Sequence, residues 1–329
     1  MSWQTTLSWE NAKKRSKILQ QIRNFFSERN VTEVETPALS QGTVTDVYLD
    51  ALSCEYNYDG DSLPDQARCL YLQTSPEFHM KRLLASGYGC IYQIAKAFRH
   101  EEMGRHHNPE FTMLEWYRVG FDHFKLMAEV EALLIDILGC AKPVYFSYQA
   151  IFEKVVAIDP LNTTQQALLS LLEKKGKLSD WLIEDSQKDD DNDLLLQFIF
   201  SEIIEPTIGL TSPCFIYDFP RSQASLAKIS TGDSRVAERF ECYFKGVEIA
   251  NGFNELTDVK QQQSRFEHDN LKRSTLALDT KPIDKNFIAA LEQGFPNCAG
   301  VALGVDRLVM LALGVEDIAD VLSFPISRA

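Results

Sequence analysis

Between Ile91 and Tyr117 the chain carries two segments of β character joined by a short polar stretch, and this pairing constrains the fold more than any other feature. Ile91-Tyr92-Gln93-Ile94-Ala95-Lys96-Ala97-Phe98 partly alternates apolar and polar residues, which predicts a half-buried strand. Glu102 to Asn108 is polar and contains Gly104, so it reads as a connecting loop. Glu110 to Tyr117 is apolar-rich and is expected to return as a second strand. Side chains two apart on a strand point the same way, which puts Arg99 and Glu101 on one face. From Phe98 to Tyr117 arginines, histidines and carboxylates surround aromatics, a mixture that a hydrophobic core does not need. Arg99 offers a planar fork of donors suited to a phosphate. Phe111 offers a flat face for a purine, with Arg307 as a cationic cover on the other side. Taken alone, Phe-Arg-x-Glu fits a surface hairpin with solvated charges equally well. The whole string is far more specific and points to a nucleotide site.

A chain of 329 residues is long enough for one large domain or two. Its cysteines, Cys54, Cys69, Cys90, Cys140, Cys214, Cys242 and Cys298, are scattered and form no C-x-x-C pair. Neither a zinc knuckle nor a redox dithiol is indicated, and the set is expected to serve as small buried hydrophobes in a reducing cytoplasm. The first residues, Met1-Ser2-Trp3-Gln4-Thr5, lack a basic segment followed by an apolar run, so no secretory signal is expected. No apolar run approaches the length of a membrane span, so no membrane partner is expected. The formal net charge is −14. Nucleic-acid binding draws on lysines and arginines that displace counterions, so this balance lowers the expectation of a nucleic-acid partner and favours a basic protein.

Asn11 to Asn30 places Ile18, Leu19, Ile22, Phe25 and Phe26 at helical spacing. Val31 to Pro37 follows as a short strand ended by proline. Asp122 to Leu138 is an amphipathic helix pattern, and Pro160 to Glu205 reads as mostly helical. The acidic run Asp189-Asp190-Asp191-Asn192-Asp193 lacks the glycine and terminal glutamate of a calcium loop, so a solvated loop or a helix start is expected. No internal repeat or low-complexity linker is visible. One domain over 1–329 with a helical insertion at about 120–210 is the expected organisation.

Three further segments carry chemistry. Thr74-Ser75-Pro76-Glu77 precedes a helix pattern from Phe78 to Ala85. Glu241 to Leu256 reads as two strands around a turn at Lys245-Gly246, and Gly300 to Leu311 as a small-residue strand entering an apolar helix. A buried ammonium is costly unless paired, and Glu115 and Glu255 with a tyrosine hydroxyl would suit a lysine-like substrate. Either glutamate alone is as readily an ordinary strand carboxylate.

The helix, strand and Pro37, the string around Arg99, and Gly304-Val305-Asp306-Arg307 resemble, in order, motifs 1, 2 and 3 of the class II aminoacyl-tRNA synthetases. The likeness runs from about residue 11 to the C-terminus and is nearest to the lysine-specific branch. It implies an α+β fold, an antiparallel sheet flanked by helices, and a homodimer formed around Pro37. It further implies ATP and Mg2+, with Arg99 and Arg307 as the catalytic residues. Arg99 would hold the α-phosphate, and Glu101 and the backbone near Asn108 would contact adenine. His107 would meet the terminal phosphate, and Phe111 and Arg307 would enclose the base. His100, Glu248, Ile249 and Gly304 complete the implied ATP site, and Glu241 and Glu248 would hold the metal. Glu77, with Ser75 and Pro76, would receive the amine nearest the substrate carboxylate. Glu115, Tyr117 and Glu255 would hold the distal ammonium, with Asn251 and Ala302 also lining the substrate.

The chain departs from lysyl-tRNA synthetases in one respect. Only about ten residues precede the first helix pattern, and an anticodon-reading OB barrel cannot fit in them. In this it is similar to the elongation factor P–(R)-β-lysine ligases, bacterial paralogues of those synthetases. That likeness implies (R)-β-lysine as substrate, a lysine side chain of elongation factor P as acceptor, and tRNA as an unlikely partner. Ala302 stands where lysyl-tRNA synthetases generally have glycine, and its methyl group is expected to select β-lysine over α-lysine. An enzyme that charges tRNA with α-lysine and a non-catalytic regulator that binds lysine or nucleotide are the competing readings.

Overall fold

The computed structural model describes residues 3–55, 69–100, 104–188 and 192–329. In chain order the elements are α1 (Trp9–Ser27), β1 (Thr32–Glu33), β2 (Leu39–Ser40), β3 (Ser53–Glu55), β4 (Cys69–Leu72), α2 (Glu77–Ala85), β5 (Ile91–Phe98) and β6 (Glu110–Val119). They continue with α3 (His123–Leu138), β7 (Val144–Ser147), α4 (Tyr148–Val156), α5 (Gln165–Lys174), α6 (Asp180–Ser186), α7 (Asp193–Ile199), β8 (Cys214–Pro220), β9 (Val236–Phe244) and β10 (Val247–Asn254). The last are α8 (Val259–Thr275), α9 (Lys285–Gly294), β11 (Cys298–Gly304) and α10 (Val305–Leu313). Helices and mostly antiparallel strands together make an α+β fold. The chain divides into two units, Met1–Asp122 with Asp136–Leu138 and Glu255–Ala329, and His123–Ile135 with Gly139–Asn254.

In the first unit the strands lie in the order β1, β5, β6, β11. The predicted hairpin is present: β5 and β6 run antiparallel from Ile91 opposite Tyr117 to Phe98 opposite Glu110. β11 adds on the far side of β6, with Ala302 opposite Glu115 and Gly300 opposite Tyr117. β1 pairs parallel with β5 and is only two residues long, shorter than the segment expected to end at Pro37. Its helix partner α1 is capped by Ser8, whose hydroxyl accepts from the Asn11 amide at 3.1 Å. The apolar stripe of α1 meets the sheet directly: the Phe26 ring stacks on Tyr92 at 4.4 Å and meets Trp116 edge-on at 5.2 Å.

Two features fix the helices that carry candidate site residues. Asp306, buried at the start of α10, accepts the Thr112 amide of β6 at 2.6 Å and pairs with Arg15 of α1 at 2.7 Å. One carboxylate therefore ties three elements together, and breaking such a buried pair typically costs about 3–5 kcal/mol. On α2, the Phe78 ring stacks face to face on Phe287 of α9 at 4.7 Å. That contact sets the position of the turn bearing Glu77 and Lys81.

The second unit has strands in the order β10, β9, β8, β7. The expected β9–β10 hairpin turns at Lys245 and Gly246, both with positive φ (52° and 73°), the combination that suits a two-residue hairpin. Its helices α4 to α7 pack a core of Tyr148, Phe152, Leu168, Leu172, Leu195, Ile199 and Phe200. The segment expected to be helical is helical, with the strand β7 ahead of it. Asp189 to Asp191 of the acidic run lie outside the described residues. Asp193 is a helix start, buried, and accepts from Ser222 at 2.7 Å and Gln223 at 3.1 Å. Among the cysteines only Cys214, Cys242 and Cys298 are buried, while Cys54 is exposed. The expectation of uniformly buried thiols is corrected there: β3, which carries Cys54, is exposed along its length. Among the described residues no helix is long and apolar enough to cross a membrane.

Candidate active site

The β5–β6 hairpin sets the first group of side chains. Ala97 pairs with Phe111, so Arg99 lies diagonally beyond Phe111 on the same face. Its guanidinium sits 5.2 Å from the centre of the Phe111 ring, and its Nε donates to the Thr74 carbonyl at 3.3 Å. The His100 amide donates to the Asp50 carbonyl at 2.9 Å. Glu101, expected to contact adenine, lies outside the described residues. Gly104 and His107 close a tight turn through paired backbone hydrogen bonds of 3.4 and 3.2 Å. Asn108 is anchored, its Oδ1 accepting the Ile326 amide at 3.0 Å.

Arg307 lies on the first turn of α10, after Gly304 opposite Met113. Its Nη2 is 2.7 Å from His107 Nε2, and its Nε donates to the His106 carbonyl at 3.3 Å. Phe111 is therefore covered by the arginine of its own hairpin, and Arg307 is turned to the two histidines. Of the residues expected around ATP, Arg99 thus touches Phe111 and Arg307 touches His107. Burial, with Arg307 and Arg105 beside it, lowers the pKa of His106 below the ordinary histidine value.

The second group is a buried cluster of charges. Glu115 is 2% exposed, and its Oε1 accepts from the Tyr117 hydroxyl at 2.6 Å. Glu77 and Glu255 share a cation that the sequence reading did not single out: Lys81, whose Nζ is 2.5 Å from Glu77 and 2.6 Å from Glu255. The signal was present, since a lysine four residues after Glu77 on a helix is an i,i+4 pair. Gly300 is required beside them. A Cβ there would run into the Tyr117 ring and the Glu255 carboxylate, so only glycine lets these side chains approach. Ala302 lies directly across from Glu115. Ser75 and Pro76 shape the start of α2, the Pro76 carbonyl accepting the Met80 amide at 3.0 Å.

Burial dominates the electrostatics. It pushes the Glu115 carboxyl up from 4.5 to about 8, reinforced by the Glu77 charge and opposed by the Tyr117 hydroxyl and Lys81. Glu115 Oε2 is buried with no hydrogen-bond partner. Burial alone would lower the Lys81 pKa, but Glu255 and Glu77 outweigh it and hold the ammonium above its ordinary value. Burial and the Glu115 charge raise the Tyr117 phenol well above its usual range.

In the second unit Glu241 and Asn251 are opposed across the β9–β10 hairpin, as are Tyr243 and Glu248. Opposed residues share a face, so the two carboxylates do too. Glu241 accepts from Arg239, from the Tyr243 hydroxyl, and from Asn251 Nδ2 at 3.1 Å. Asn251 Oδ1 is buried with no hydrogen-bond partner. Two carboxylates and an unsatisfied amide oxygen are hard donors of the kind magnesium takes when phosphates complete its shell. The donor set therefore fits that ion. Ile249 is buried at the bulge between Glu248 and Ala250.

The profile of the family described as tRNA synthetases class II (D, K and N) matches residues 2–328. The elongation factor P–(R)-beta-lysine ligases of Salmonella paratyphi B, Salmonella schwarzengrund and Salmonella heidelberg are each 53% identical to this chain over 328 residues. Each match covers 100% of this chain and 98% of the relative.

The buried Glu115 gives a pH signature. Folded Glu115 keeps its proton to about 8, whereas unfolded it loses it near 4.5. The folded state binds the extra proton between those values, so stability falls as pH rises through that window. Glu115→Gln removes the titration and retains an acceptor for Tyr117. Denaturant unfolding from about pH 5 to about pH 8.5 is expected to show wild-type stability falling relative to the variant, with a slope approaching one proton. Parallel curves would contradict a neutral buried carboxyl.

Proposed function

This chain belongs to the class II tRNA synthetases of the aspartate, lysine and asparagine group, and on that premise we propose that it uses ATP to activate (R)-β-lysine and transfers it to a lysine side chain of elongation factor P. The observation that carries the reading is the cluster of buried Glu115, Tyr117 and Glu255 with half-buried Glu77, in a chain alike over its full length to ligases of that name. Carboxylates buried around a tyrosine hydroxyl are a seat for ammonium groups.

The first step is attack by a carboxylate oxygen of the amino acid on the α-phosphorus of ATP. An acyl–phosphate bond forms, the bond to the leaving oxygen breaks, and pyrophosphate departs. The attacking group is already ionised at neutral pH, so no general base is required. Arg99 holds the α-phosphate, and Arg307 and His107 meet the outer charge, which makes the step one of positioning and charge neutralisation. Phe111 and Arg307 enclose the base, with His100, Asn108 and Gly304 around the nucleotide. Magnesium, when bound, would neutralise phosphate charge, and Glu241 and Glu248 would hold it. Glu77 takes the amine nearer the substrate carboxylate, and Glu115, Tyr117 and Glu255 take the distal ammonium. In the second step the acceptor amine attacks the acyl carbon, an amide bond forms, and AMP leaves as the amine loses a proton. A translation factor as acceptor places the reaction in the cytoplasm.

Ala302, opposite Glu115, puts one methyl group against the substrate. A methylene's worth of fit is about 10–200-fold in selection. Pro37 and Leu39 are exposed after β1, and we assign to this edge the contact between two copies of the chain. Sedimentation equilibrium is expected to return a dimer mass, and a monomer at micromolar concentration would refute that assignment.

Intact mass measurement of elongation factor P, after incubation with the protein, ATP and (R)-β-lysine, is expected to show one added lysyl residue. Label appearing on tRNA instead would select the tRNA-charging alternative. Arg99→Ala is expected to lower (R)-β-lysine-dependent ATP–pyrophosphate exchange by about 100-fold or more, and near-wild-type exchange would remove Arg99 from its role. In the same assay Ala302→Gly is expected to raise the ratio of α- to β-lysine activation by about tenfold. An unchanged ratio would sink the selectivity role.

A further inference from the structure

Lys81 is the one member of the buried cluster that the proposed chemistry leaves without a task. It is 1% exposed, and its Nζ makes short contacts with both Glu77 and Glu255 and lies 5.8 Å from the Phe287 ring. An ammonium this deeply buried is costly, and a fold that needed only to fill the space would do so with an apolar side chain. Its two carboxylate partners come from the start of α2 and from the residue after β10, so the ammonium joins segments that the sequence holds far apart.

The charges can be counted. Among the described residues, the ionisable groups with the largest effects on Glu115 are Glu77, Tyr117, Lys81 and Glu255. Of these α2 contributes Glu77 and Lys81, and β6 contributes Tyr117. Glu255 follows β10, and the facing β11 residues Gly300 and Ala302 carry no charge. With every carboxyl ionised and Tyr117 neutral, these described groups together with Glu115 set three negative charges against one positive charge. We propose that Lys81 is a positioning residue that sets the charge of this site: it cancels one carboxylate and clamps Glu77 to Glu255, leaving room for two further positive charges. The matching ligand is a small amino acid with two ammonium groups, and one with a single ammonium leaves a buried carboxylate uncompensated. The raised Glu115 pKa agrees, because a site still short of cations takes up a proton instead. The proposal rests on the reading that this cluster receives the amines of a lysine-type substrate.

The test uses the full-length protein and ATP–pyrophosphate exchange. Lys81→Ala removes the propylammonium portion of the side chain, so n-propylammonium is the probe for rescue. (R)-β-lysine-dependent kcat/KM is expected to fall about 100-fold, mainly through KM, and to recover about tenfold or more with n-propylammonium but not with 1-propanol. In Lys81→Met, of similar length and no charge, the remaining carboxylates hold protons more tightly. The pH at which KM is lowest is therefore expected to rise by about one unit or more. Wild-type KM and pH profile in Lys81→Met, or equal effects of propylammonium and propanol on Lys81→Ala, would overturn the proposal. The wild-type protein decides the matter even if neither variant folds. 3-Aminohexanoic and 6-aminohexanoic acids each lack one of the two amines, and each is expected to show a kcat/KM about 100-fold below that of (R)-β-lysine. Use of either on a par with (R)-β-lysine would overturn the charge count. Absence of exchange with (R)-β-lysine itself in the wild type would instead fail the underlying function.

Discussion

A buried ammonium held between two carboxylates governs the first unit of this protein. Lys81 exists in charged form because Glu77 and Glu255 are within hydrogen-bond distance, and those carboxylates remain close because Lys81 separates their charges. The surrounding fold serves that arrangement. The Phe78–Phe287 stack places α2 so that both Glu77 and Lys81 face the cluster. Gly300 lets the β11 backbone pass close to Tyr117 and Glu255, where any side chain would collide. β6 presents Glu115 and Tyr117 two residues apart, on one strand face, with the hydroxyl of one donating to the carboxylate of the other.

The hairpin that supplies this cluster also supplies the residues assigned to nucleotide. Its inner part is buried and bears Glu115 and Tyr117; its outer part bears Arg99 and Phe111, partly exposed and in contact. One two-stranded element therefore fixes the spacing between the residues assigned to the amines and the arginine assigned to phosphate. For adenylate formation that spacing matters more than acid–base chemistry, because the attacking carboxylate is ionised from the outset. Asp306 strengthens the same framework by tying the β6 backbone to α10, whose next residue is Arg307.

Much of this was legible in the sequence, and what was not has a physical cause. The limits of β5 followed from alternation, and the turn at Lys245-Gly246 from its residue types. Glu115, Tyr117 and Glu255 were read together because buried carboxylates need partners, and the fold does bring all three into one cluster. Lys81 was not singled out: on a helix pattern a lysine is ordinarily solvated, and only tertiary packing turned this one inward. The covering of Phe111 by Arg99 and the turning of Arg307 to His107 depend on rotamers that no spacing rule specifies. Cys54 was expected among buried thiols, but it lies on a short exposed strand, where composition gives no guidance. The orphaned oxygens of Glu115 and Asn251 are likewise properties of packing and have no sequence signature.

The central claim is that a buried site lacking two positive charges is completed by the substrate. In the free chain Glu115 holds a proton up to about pH 8, and an incoming ammonium must displace it. Calorimetric titration of (R)-β-lysine into the protein at about pH 7, in buffers of different ionisation enthalpy, counts the protons exchanged on binding. The account predicts release of close to one proton, absent in Glu115→Gln. Tight binding with no proton released would contradict it.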